Sequence, residues 1–134
     1  MESVEGASAS PREATLLAAA AVGGAIGASA RWAVGVGFDI TDSASFPWHT
    51  FLVNVVGSLL IGVAVSRIER GTAIWSFVVT GLLGGFTTMS SLAVESDDLA
   101  EAGSSTTLAV YVVATVAIAI AAVVAGERMG RRSS

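Results

Sequence analysis

Four long apolar runs separated by short polar stretches dominate the chain, at residues 14–36, 48–66, 72–94 and 107–125. Each is close to the roughly 20 apolar residues that a helix needs to cross a bilayer. The pattern predicts an all-α membrane protein with four transmembrane helices. The first run reads as a retained span rather than a signal peptide, because Arg12 alone supplies a basic flank and the run outlasts an h-region of about 7–15 residues. Residues 1–13 have the composition of a disordered tail, residues 14–126 form one membrane domain, and residues 127–134 form a basic C-terminal tail.

Polar and small residues inside these runs fall into lines. Gly23 and Gly27 share one face of the first span, which suits close helix packing within a subunit or between subunits. Arg31 ends that face, and a charge at such a depth reaches either the interface or a polar cavity. On the second span Thr50, Asn54 and Ser58 recur every fourth residue and stack on one side. Asn54 stands out, because an amide in hydrocarbon needs partners, either on another helix or along a path for a solute. Thr107, Tyr111 and Thr115 make a second such line on the fourth span.

The third span is interrupted at its centre by Gly81-Leu82-Leu83-Gly84-Gly85-Phe86-Thr87-Thr88-Met89-Ser90-Ser91-Leu92. Glycines and hydroxyls in this density predict a broken helix or, at the least, a kink. In a broken helix, carbonyls freed on the first half suit a cation and N–H groups freed on the second suit an anion. Beyond it, Glu95, Asp97, Asp98 and Glu101 read as a solvated acidic loop, as do Asp39 and Asp42 between the first two spans.

Composition narrows the chemistry. The 134 residues are 53% hydrophobic and 13% charged, with a mean hydropathy of +0.73, which suits a small integral membrane protein with no second domain. With no cysteine and a single histidine, thiolate and multi-histidine metal sites are excluded. The only histidine, His49, sits at the interface end of the second span, so no catalytic constellation appears and the chain is not read as an enzyme. No basic patch for nucleic acid is present.

Three stretches in order carry a resemblance: residues 23–32 (GGAIGASARW), residues 50–57 (TFLVNVVG) and residues 81–88 (GLLGGFTT), with Glu95 beyond. Together they resemble the Fluc (CrcB) fluoride channels over nearly the whole chain. The resemblance implies an antiparallel dimer of four-helix subunits that passively exports cytoplasmic fluoride and so reduces its toxicity. A structural, untransported Na⁺ would be held at the helix break by the backbone carbonyls of Gly84 and Thr87. Fluoride would pass Asn54, Thr50, Tyr111, Thr115, Thr88 and Ser91, with Arg31 at the aqueous vestibule.

Two departures shape the expectation. Met89 and Leu92 stand where the family usually carries aromatic residues, so the positive ring edges that would face fluoride are missing. The second is charge. Arg12, Arg67, Arg70, Arg128, Arg131 and Arg132, six in all, flank one side of the four spans, and the two loops on the other side have no basic residue. That bias predicts a plasma-membrane protein in one orientation, with both termini cytoplasmic. An antiparallel dimer would then require an oppositely oriented paralogous subunit, making a heterodimer in which this chain conducts or serves as a non-conducting structural partner. A reporter fused after Ser134 should be active only on the cytoplasmic side; activity confined to the outside would overturn this orientation.

Overall fold

The computed structural model describes residues 10–37 and 45–132. Residues 1–9 of the expected tail, and Asp39 and Asp42, lie outside the described residues. Four helices are long and apolar enough to cross a membrane: α1 (Pro11–Gly37), α2 (Trp48–Arg67), α3 (Ala73–Glu101) and α4 (Ser105–Arg132). No strand occurs among the described residues. The third helix is discontinuous. Its first part, α3a (73–86), ends where Thr87 turns to extended backbone, and its second part, α3b, runs over Ser90–Glu101.

Local chemistry fixes the helix ends. A capping box starts α1 before the apolar run begins: the Glu13 N–H donates to Ser10 Oγ at 3.3 Å, and the Ser10 N–H donates to Glu13 Oε2 at 2.7 Å. Pro11 then takes the first helical position, where its missing N–H costs nothing. Thr72 caps α3a by accepting the Trp75 N–H at 3.1 Å. At the end of α3b, Gly103 (φ 71°) reverses the chain, and the Gly103 and Ser104 N–H groups return to the carbonyls of Ala100 and Leu99. The acidic stretch expected as a loop is therefore the last turns of a helix. Leu92 and Leu99, 4% and 1% exposed, hold it against Tyr111 of α4, which is fully buried.

The fold is two helix pairs, α1 with α3a and α2 with α4, each closed by backbone-to-backbone contact between small residues. A Cβ built on Gly23 would lie 2.2 Å from the Phe77 carbonyl oxygen, and one on Gly27 would lie 2.0 Å from that of Leu82. In the other pair, a Cβ on Gly62 would lie 2.1 Å from the Val123 oxygen and one on Gly126 would lie 2.2 Å from that of Leu59. Lipid tails supply no hydrophobic drive to hold helices together, so this intimate packing is what does it. Facing Gly23 and Gly27, residues Ser76–Leu83 coil as a π-helix, a form rare outside functional sites. Its periodicity left no mark in the sequence pattern.

Contacts at one end collect the arginines. Arg12 donates to the Gly71 carbonyl at 3.3 Å and Arg67 to the Gly130 carbonyl at 3.3 Å, while Arg70 sits 5.4 Å from the centre of the Trp75 ring. The start of α1, the α2–α3 turn and the end of α4 thus share one face of the bundle. α4 continues through most of the basic C-terminal stretch to Arg132, with Arg131 pairing to Glu127 at 2.7 Å.

Gly23→Val should force α1 from α3a and lower stability in detergent by about 1–3 kcal/mol or more. Gly35→Ala, with nothing within 4 Å of its added Cβ, should change it by less than about 0.5 kcal/mol. Equal unfolding midpoints for the two variants would refute the contact.

Candidate ion-conduction site

The break in α3 is stitched to α2 by one side chain. The Asn54 amide donates from Nδ2 to the Thr88 carbonyl at 2.9 Å and accepts the Thr88 N–H at its Oδ1 at 2.8 Å. Both backbone groups of Thr88 are thereby satisfied where no helical partner exists. One Nδ2 hydrogen remains for a further partner. Thr88 Oγ1 in turn accepts the Ser91 N–H at 3.1 Å and so caps α3b, and it lies 3.1 Å from the hydroxyls of Ser90 and Ser91. Gly57 makes room: a Cβ there would meet the Thr87 methyl at 2.3 Å.

Carbonyls at the end of α3a divide into engaged and available ones. Leu83 accepts both the N–H and the hydroxyl of Thr87 at 3.0 Å, and Gly85 accepts Arg31 Nε at 3.2 Å. With Thr88 bound to Asn54, the donors accounted for leave the Gly84 and Thr87 carbonyls open. Both residues line a cavity of about 470 Å³ together with Asn54, Ser58, Thr88 and Thr115. Thr115 is 3% exposed, and its hydroxyl has no hydrogen-bond partner. Met89, 72% exposed, and Leu92 line the same cavity and present it a thioether and an isobutyl group.

A second polar cluster lies toward the acidic end, around Glu95. Thr50 donates its hydroxyl to Glu95 Oε1 at 2.7 Å, His49 Nε2 lies 3.0 Å from that same oxygen, and Tyr111 donates to Oε2. Phe46 packs edge-on against Tyr111 at 5.3 Å and against Phe51 at 5.5 Å, covering the phenol with rings. Beside the cluster, Arg31, His49, Thr50 and Ser91 line an open cleft of about 500 Å³. Ser91 also lines a smaller hollow of about 230 Å³ with Ser90, Val94 and Glu95.

The predicted residues thus separate into two groups that Ser91 and the register of α2 connect. Asn54, Thr88, Thr115, Gly84 and Thr87 meet at the break, Thr50 and Tyr111 meet at Glu95, and Arg31 bonds the Gly85 carbonyl while lining the cleft with Thr50 and Ser91. The sequence reading missed the part played by Glu95 and His49. A signal existed: Thr88, Ser91 and Glu95 recur at i, i+3 and i+7, one continuous face of a helix. Reading the acids as a loop hid it.

The family profile described as "CrcB-like protein, Camphor Resistance (CrcB)" matches residues 18–127. The chain belongs to the CrcB-like family. A relative from Agrobacterium fabrum named "Fluoride-specific ion channel FluC" is 43% identical over 119 residues, 86% of this chain and 95% of its own. Proteins of that name from Sphingopyxis alaskensis and Nitrobacter winogradskyi are 44% and 37% identical over 109 and 121 residues, covering 78% and 87% of this chain and 86% and 96% of their own. All three are named as ion channels, and the four apolar helices of this CrcB-like chain make it a multi-pass membrane protein.

Asn54→Ala should strand two buried backbone groups at about 1–3 kcal/mol each and lower the unfolding free energy by roughly 2–6 kcal/mol. Ser58→Ala serves as the reference. If the two variants unfold alike in denaturant, Asn54 does not hold the break.

Proposed function

We propose that this chain is a subunit of a fluoride-specific channel that lets cytoplasmic fluoride leave passively down its gradient. One observation carries the reading: the Asn54–Thr88 pair at the break opens onto a cavity where Thr115 keeps a buried, unpartnered hydroxyl. A small, strongly hydrated anion needs donors that replace its water, and a spare hydroxyl beside a spare amide hydrogen offers them. From there the path follows Thr88 and Ser91 to Thr50 and Tyr111, with Arg31 at the vestibule drawing the anion in.

The open carbonyls of Gly84 and Thr87 fit a structural Na⁺, since neutral backbone oxygens suit a hard monovalent cation and their neighbours are already bonded. Such an ion would hold the end of α3a against a second subunit. That subunit is an oppositely oriented paralogue, as the arginine bias requires for antiparallel pairing, and both termini of this chain face the cytoplasm.

A second reading is favoured by Met89 and Leu92, which give the cavity no ring edge: this chain is the structural partner and the paralogue conducts. Thr115→Val separates the two. It removes a hydroxyl that makes no internal bond, so the protein should unfold at or slightly above the parent's midpoint. Fluoride efflux from liposomes holding the subunit pair should fall at least about tenfold, equivalent to roughly 1.4 kcal/mol on the barrier. Undiminished efflux assigns this chain the structural role, and efflux from the purified chain alone refutes the obligate partner.

A further inference from the structure

We infer that the start of α1 and the α2–α3 turn form a docking site for the headgroup of an anionic phospholipid, held between Arg12 and Arg70. The site is independent of whether the assembly conducts fluoride. Arg12 Nη2 donates to the Gly71 carbonyl at 3.3 Å, which brings that guanidinium to the turn whose preceding residue is Arg70. Gly71, at φ 77°, makes the reversal, and a Cβ there would lie 3.8 Å from Arg12 Nη2. Arg70 is set by a different contact, its guanidinium carbon lying over the Trp75 ring at 5.4 Å from the centre. A guanidinium carries five donors in one plane. Stacking on a ring engages the face of that plane, and one carbonyl engages a single donor, so each arginine keeps N–H groups for a phosphodiester.

The charge of these two arginines is not neutralised within the bundle. Of the acids at this end among the described residues, Glu13 is engaged with Ser10 and Glu127 with Arg131, while Glu69 forms no ion pair. Neither Arg12 nor Arg70 has a carboxylate partner among the described residues. Two anchored cations without an internal counter-ion favour an external anion. Toward the bilayer the surface turns apolar: Leu17 of α1 and Ile74 in the first turn of α3a are 65% and 64% exposed, and these two elements pack against each other. The Trp75 ring between charge and hydrocarbon is the type of side chain that seats at the headgroup level. A cationic pair, an interfacial ring and exposed aliphatic side chains match the parts of a phospholipid, whereas a soluble phosphate would use only the first. The opposite end carries Glu95, Asp97, Asp98 and Glu101, so anionic lipid is attracted at one end and repelled at the other.

The test reads Trp75 fluorescence in the full chain carrying Trp32→Phe and Trp48→Phe, two rings that are 72% and 57% exposed and leave no core cavity when replaced. The protein is reconstituted in phosphatidylcholine vesicles doped with brominated phosphatidylglycerol or, for comparison, with brominated phosphatidylcholine. One arginine near an anionic leaflet strengthens attraction about fivefold, so quenching should show a preference of about 25-fold for the anionic lipid. Arg12→Gln and Arg70→Gln should each cut that preference about fivefold, and the double variant should abolish it. Arg128→Gln combined with Arg132→Gln, on the end of α4, should leave it within about twofold. A parent preference below about twofold, or one that the double variant retains, overturns the site. Equal loss in the Arg128 and Arg132 pair means diffuse attraction and overturns it too. Inorganic phosphate at millimolar concentration should not reverse the quenching, and reversal makes a soluble anion the ligand instead of lipid. The parent comparison contains no arginine substitution, so it decides the matter even where a variant fails to fold.

Discussion

Within hydrocarbon the free N–H and C=O of Thr88 would each cost several kcal/mol, and the Asn54 amide answers both at 2.8 and 2.9 Å. Much else in the bundle depends on this substitution of a side chain for a helical turn. A continuous third helix would have to pack along one partner. Broken at Thr87, it lies with its first half on α1 and its second half on α4, and so ties the two helix pairs into one body. The same interruption frees the carbonyls and hydroxyls that give the cavity its chemistry. Stability and site therefore share a single residue, and the polar groups at the break are fixed in place before any ion arrives.

The four spans, the break and the polar lines on α2 and α4 were legible because membrane helices must announce themselves through apolar length and through any residue that violates it. Asn54 is such a violation, and its need for partners followed from the pattern. Helix ends were less legible. Ser10-Pro-Arg-Glu13 is a capping box in plain view, yet its polarity reads as tail. The π-helical coil of Ser76–Leu83, whose backbone lies against Gly23 and Gly27, had no signature in the apolar periodicity. Glu95 was obscured for another reason. It stands at the border between apolar run and acidic cluster, and only the depth of Tyr111 on a distant helix reveals that it belongs to the interior.

The two polar clusters differ in character. At the break, the residues are neutral and arranged around backbone groups, which suits stripping water from an ion. Near Glu95, a carboxylate and an imidazole sit among hydroxyls and aromatic rings. Met89 and Leu92 belong to the first cluster by position but contribute no polarity, so the spare donors of the cavity come from Thr115 and the amide of Asn54.

The bond from Arg31 to the Gly85 carbonyl has an electrostatic consequence for the molecule as a whole. Aligned peptide dipoles leave about half a negative elementary charge at the C-terminal end of a helix and half a positive one at the start of the next. A break sets these two ends side by side, and an anion approaching it would feel them nearly cancel. The guanidinium offsets part of the negative end at the Gly85 carbonyl and weights the balance toward the N-terminus of α3b. In this way one side chain on α1 shifts the electrical balance across the gap.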